Sequence, residues 1–137
     1  MRRCIELARR ALATNDTPVG AVIVRDDEIV AEGVESVRAR SDVTAHAEIN
    51  AVRAATAWLQ TTDLTGCILY TTIEPCVMCA YAIRLACVSK IVSGAHSPTS
   101  EQAIGGYAVL TDDQAVPNRP PLVVITDILA TECAAVR

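Results

Sequence analysis

Helical and extended segments alternate along the chain, which predicts an α/β fold built as a three-layer α-β-α sandwich. Three observations carry that prediction. A hairpin pattern comes early, Ala-rich stretches of helical spacing separate the later apolar runs, and turn residues punctuate the boundaries. With 137 residues, 51% of them hydrophobic, the chain suits one compact domain over 1–137 with a real core. It contains no phenylalanine, so that core must be built from Val, Ile, Leu and Ala.

The elements follow in order. Residues 5–12 have amphipathic spacing, with Arg9 and Arg10 near the end, and predict a helix. Residues 19–24 form an apolar run, Arg25-Asp26-Asp27-Glu28 supplies a turn, and 29–32 returns, which reads as a hairpin. Asp42 or Thr44 before an Ala-rich apolar run predicts a helix over 45–59. The chain then passes through 61–66 to a strand over 67–71. Pro75 favours a helix start, because its φ is already helical and its missing N–H would be unpaired there; a helix over 75–86 leads to a strand over 90–93. A loop containing Gly105-Gly106 and the polar, proline-rich stretch 111–121 precedes a last strand over 122–125 and a last helix over 128–136.

Composition narrows the function classes. The start, Met1-Arg2-Arg3-Cys4-Ile5-Glu6, has no long apolar run, and no stretch approaches the ~20 apolar residues that cross a bilayer. No membrane partner is expected. Six cysteines without secretory context suggest a reducing cytoplasm rather than a disulfide framework. A net charge of −4 argues against a nucleic-acid polyanion as the main partner.

The chemistry concentrates in two short segments. In Pro75-Cys76-Val77-Met78-Cys79, a helix starting at the proline places both sulfurs one turn apart on one face, within reach of one ion. Helix N-termini stabilise thiolates. Taken alone, this motif also fits a redox C-x-x-C or two core thiols. In His46-Ala47-Glu48, residues two apart on a helix do not share a face, so both should not bind one metal side by side. The natural arrangement puts His46 on the metal, with Glu48 reaching past it towards a water. Alone, that motif also fits a capping histidine and a solvated carboxylate. Together, H-x-E and P-C-x-x-C form the pattern of zinc deaminases that act on nucleobases.

Three protein ligands, His46, Cys76 and Cys79, leave a Zn²⁺ site open to water, as catalytic sites are. Cys87 lies about 12 Å further along a continuing helix and should not close the site. Cys4, Cys67 and Cys133 have no ligand spacing and read as small buried apolar residues. One imidazole and two thiolates neutralise the metal charge, so a base is needed to deprotonate water, and Glu48 is the candidate. The reaction expected is hydrolytic deamination of an amino-substituted heterocycle.

The chain resembles the cytidine deaminase superfamily, in the branch of tRNA adenosine deaminases, guanine deaminases and cytosine deaminases. The stretches that carry the resemblance are Thr17 to Val22, Thr44 to Ile49, Leu69 to Cys79 and Ile128 to Cys133. The resemblance implies a five-stranded mixed sheet between helices, zinc on His46, Cys76 and Cys79, and proton shuttling by Glu48. It also implies that the backbone at Ala47 and Cys76, with Glu74 beside it, lines the reaction centre, and that the chain forms a homodimer or larger assembly.

Three departures from the family pattern bear on substrate. Gly33-Val34-Glu35 stands where relatives commonly carry an asparagine that meets the base. An ionised Glu35 only accepts hydrogen bonds, so it favours an N–H-rich edge, unless it turns outward to solvent. Gly94-Ala95-His96-Ser97 stands where the tRNA enzymes have Arg-Asp, so His96 either lines the pocket mouth or is a plain loop residue. The sequence stops at Arg137 without a basic aromatic tail, and Trp58, Tyr70, Tyr81 and Tyr107 offer a thin stacking platform for RNA. The expected substrate is therefore a small free base such as cytosine, isocytosine, an aminotriazine or guanine. Adenosine in tRNA is the alternative, followed by a non-catalytic zinc-stabilised subunit and a redox protein.

Overall fold

The computed structural model describes residues 1–96 and 106–137. Among the described residues the elements follow in chain order: α1 Arg2–Ala13, β1 Gly20–Arg25, β2 Glu28–Val34, α2 Val37–Arg40, α3 Ala47–Leu59, β3 Ile68–Ile73, α4 Val77–Leu85, β4 Lys90–Ala95, α5 Gly106–Thr111, β5 Val123–Ile125 and α6 Ala130–Ala134. The strands form one sheet in the order β2-β1-β3-β4-β5. β1 runs antiparallel to β2 and β3, while β3, β4 and β5 are parallel, so the sheet is mixed and five-stranded.

Helices cover both faces. The buried residues of α1, Cys4, Ile5, Leu7, Ala8 and Ala11, recur at helical spacing and meet Val22 on one face and Cys133 of α6 nearby. α3 and α4 pack the larger core on the opposite face, with Ala21, Ile23, Leu69 and Ile91 of the sheet. The β1–β2 turn places Asp26 and Asp27 at φ 51° and 63°, the left-handed pair that a tight two-residue hairpin requires.

Register decides where a site can form. Gly20 pairs with Val34 and Ala21 with Thr71, so the start of β1 and the ends of β2 and β3 share one edge of the sheet. Gly33 lets α3 lie against this edge, because a Cβ there would strike the Ala47 carbonyl and the Ala51 amide.

Several boundaries differ from expectation. α4 begins at Val77, with Cys76 as its extended N-cap, so Pro75 stands outside the helix rather than at its first position. α3 begins at Ala47 with His46 as N-cap, at φ −68° and ψ 152°. The expected loop after 105 contains α5, whose Leu110 is fully buried; Gly105 itself lies outside the described residues. Helix α2 was not anticipated, since Asp16, distant in sequence, receives the Arg38 and Ala39 N–H groups at its start. The last helix is shorter than 128–136, because Asp127 and Leu129 take left-handed φ values of 65° and 55°. No described helix is long and apolar enough to cross a membrane.

Candidate metal centre and its cavity

Two helix starts deliver the metal-ligating set. His46 and Cys76 are the N-cap residues of α3 and α4, and Cys79 lies in the first turn of α4. Their donor atoms all lie within 4.8 Å of one another. His46 Nδ1 and Cys76 Sγ stand 3.8 Å apart, close to the roughly 3.5 Å edge that tetrahedral Zn–N and Zn–S bonds define. The residues present therefore fit Zn²⁺. Among the described residues no fourth cysteine joins them; Cys4, Cys67 and Cys133 are buried elsewhere, and Cys87 sits past the end of α4.

The site is tuned to hold charge. Cys76 has its pKa lowered to about 4 by the Cys79 thiol and the His46 imidazole beside it. His46 is raised to about 9, chiefly by its hydrogen bond to Cys76. Cys79 is pushed up by the Cys76 sulfur beside it and by burial.

Glu48 enters from the first turn of α3 and is almost sealed from solvent, at 3% exposure. Thr71 Oγ1 on β3 donates to its Oε1 at 2.9 Å, and the Cys79 thiol donates to Oε2 at 3.6 Å. Burial raises the Glu48 pKa above the usual carboxylate range. Thr71 was missed from sequence, where it is one more β-branched residue in a strand.

Glu35 turns inward, not to solvent. Its Oε2 accepts the Ala47 N–H at 2.9 Å, and burial raises its pKa to about 7. That bond occupies the backbone donor at Ala47. Asn50 was also unforeseen: its Nδ2 donates to the carbonyls of Val34 and Ala45 and to Ser36 Oγ, tying the Glu35 loop to the approach to His46.

A cavity of about 370 Å³ opens over these groups. Glu35, His46, Glu48, Glu74 and Cys76 line it, together with Asp16, Val37, Arg38 and Arg137. His96 stands outside this lining. Its Nδ1 lies 3.6 Å from Glu74 Oε2, its Nε2 3.2 Å from Asp127 Oδ1, and its ring meets Tyr107 edge to face. Among the described residues it meets the cavity lining at Glu74.

Known proteins share this arrangement. Residues 1–95 match the cytidine and deoxycytidylate deaminase zinc-binding region. A tRNA-specific adenosine deaminase of Aquifex aeolicus is 44% identical over 105 residues, 77% of this chain and 70% of that protein. A structure solved in studies of A-to-I editing by tRNA:A34 deaminases at the wobble position superposes with a TM-score of 0.88 at 31% identity, over 100% of this chain and 97% of that one. The guanine deaminase of Bacillus subtilis superposes at 0.70 with 35% identity, over 88% and 79% of the two chains. The matched region runs to the end of β4 and holds all three ligands, so the chain belongs to the cytidine and deoxycytidylate deaminase zinc-binding family, whose members are zinc-dependent deaminating hydrolases.

Proposed function

We propose that this chain hydrolytically deaminates adenosine in a tRNA, yielding inosine and ammonia. The observation that carries this reading is the full-length superposition on the tRNA:A34 deaminase structure, and the Aquifex aeolicus relative supports it. It reverses the order expected from sequence, where a free base stood first and nucleic acid was unexpected. A net charge of −4 describes the whole molecule; Arg38 and Arg137 line the cavity beside Asp16, Glu35, Glu48 and Glu74, so positive charge is available locally.

His46, Cys76 and Cys79 would hold the zinc. Bound there, zinc supplies the Lewis acidity that makes water a competent nucleophile near neutral pH. Glu48 takes a proton from the attacking water and delivers it to the ring nitrogen. The water oxygen bonds to the carbon bearing the amino group. Glu48 then moves the second proton to that amino group, the C–N bond breaks, ammonia leaves and the carboxylate is regenerated. Thr71 holds Glu48 in position for both transfers.

A second reading, a free base with an N–H-rich edge such as guanine, is favoured by Glu35. Its Oε2 is engaged with Ala47, so an ionised carboxylate presents its other oxygen as an acceptor. Ammonia release from an anticodon-arm RNA, set against guanine, isocytosine, cytosine and aminotriazines, decides between them. Turnover of a free base with none of RNA overturns the tRNA reading. A homodimer is the assembly the family resemblance implies, and the exposed Val77, Met78, Tyr81 and Leu85 along α4 support it. Sedimentation of the zinc-loaded chain at twice its 14.6 kDa mass tests this.

A further inference from the structure

Charge is divided along the cavity. The carboxylates of Glu35, Glu48 and Glu74 are all buried, at 6%, 3% and 8% exposure, and gather near the metal ligands; Asp16, also buried, lies under Arg38 with its oxygens on two backbone N–H groups, and Arg38 and Arg137 line the same cavity as exposed residues. An anion entering this space is repelled from the deep end and drawn to the mouth.

Arg38 is positioned and yet available. Asp16 anchors the backbone beneath it, accepting the Arg38 N–H at 2.7 Å and the Ala39 N–H at 3.2 Å. Both Asp16 oxygens are spent on backbone, and Asp16 makes no ion pair with Arg38. One guanidinium nitrogen, Nη1, donates to the Asn15 carbonyl at 2.8 Å, which holds the side chain in place. Among the described residues the guanidinium has no carboxylate partner, and most of its donors remain free. A fixed guanidinium with open donors matches a phosphate, which it can grip through two parallel bonds. A neutral free base offers it ring and carbonyl acceptors but none of the negative charge that a phosphate adds.

We propose that Arg38, assisted by Arg137, forms an anion subsite at the cavity mouth that takes the phosphate attached to the sugar of the nucleotide being deaminated. This deepens the tRNA reading and rests on it for the form of the ligand, a phosphodiester of an RNA strand. A phosphomonoester of a free nucleotide has the same chemistry.

The test uses the zinc-loaded full chain carrying Glu48→Gln, so that ligands bind without turnover. Affinities are measured for nucleosides of adenine, guanine and cytosine against their 5′- and 3′-monophosphates, and for an anticodon-arm RNA across a salt series. At least one nucleotide is expected to bind about tenfold tighter than its nucleoside, equivalent to about 1.4 kcal/mol. Adding Arg38→Gln removes that gap, Arg38→Lys restores part of it, and Arg137→Gln narrows it. For RNA, Arg38→Gln reduces the salt slope by about one. No nucleotide preference, or a preference that survives Arg38→Gln, overturns the subsite. A preference abolished by Arg38→Gln with no binding of RNA supports the subsite, assigns it to free nucleotides and overturns the tRNA reading instead.

Discussion

Thr71 Oγ1 donates a 2.9 Å hydrogen bond to Glu48 Oε1 where both side chains are buried, joining the central strand of the sheet to the first turn of α3. The carboxylate cannot rotate without losing this bond, and its other oxygen stays beside Cys79.

Thr71→Val keeps the shape and removes the donor. A hydrogen bond to a charged group contributes about 1.5–3 kcal/mol, so kcat is expected to fall roughly 10- to 100-fold. Zinc content should stay at one per chain by atomic absorption. Glu48→Gln is expected to lower turnover at least ~100-fold, also with zinc retained. An active Gln variant would remove Glu48 from the proton transfers.

Zinc binding should release protons. At pH 7 the metal-free site holds Cys76 as thiolate, with its pKa lowered to about 4, and His46 as imidazolium, with its pKa raised to about 9. Cys79 is pushed up and still carries its proton. Ligation requires neutral imidazole and two thiolates, so uptake displaces about two protons. Because both raised groups must give up protons, apparent affinity weakens as pH falls, and more steeply once Cys76 protonates near its own pKa. Calorimetry in buffers of different ionisation enthalpy reads the number directly; zero release contradicts the assigned charge states.

Gly33→Ala probes the approach of β2 to α3. The added Cβ meets the Ala47 carbonyl and the Ala51 amide, which are backbone atoms with nowhere to go. A loss of about 1–3 kcal/mol in denaturant unfolding is expected, as for other overpacked sites. Since α3 carries Glu48 and follows His46, zinc affinity should fall with it. Unchanged affinity would mean that the helix shifts without moving its N-cap.

Arg84, fully buried, binds carbonyls, and among the described residues no carboxylate pairs with it. Its Nη1 donates to Val109 at 2.6 Å and Asp112 at 2.8 Å, and its Nη2 donates to Arg119 at 2.5 Å. Arg84→Met strands these carbonyls at about 1–3 kcal/mol each, part of which water recovers. Thermal unfolding should drop by several degrees, and amide exchange should accelerate at Leu122, which bonds the Leu110 carbonyl. Retained protection there would show that α5 holds without its cap.

Much of this molecule was legible from local pattern. The Asp26-Asp27 turn, the helical spacing of α1 and the β-branched runs of β1 and β3 depend on residues near one another in sequence, where propensity and periodicity act. His46, Cys76 and Cys79 were legible because ligand chemistry restricts which residues serve and at what spacing. Tertiary structure decided the rest. Asp16 creates α2 from some twenty residues away, and Arg84 braces α5 through carbonyls beyond Val109, so neither helix has a local signature. Thr71 and Arg38 look ordinary in sequence, and Glu35 stands out there only as a departure from the family pattern. They gain roles only because sheet register brings the start of β1 and the ends of β2 and β3 to one edge, beneath the two helix starts that carry the metal ligands.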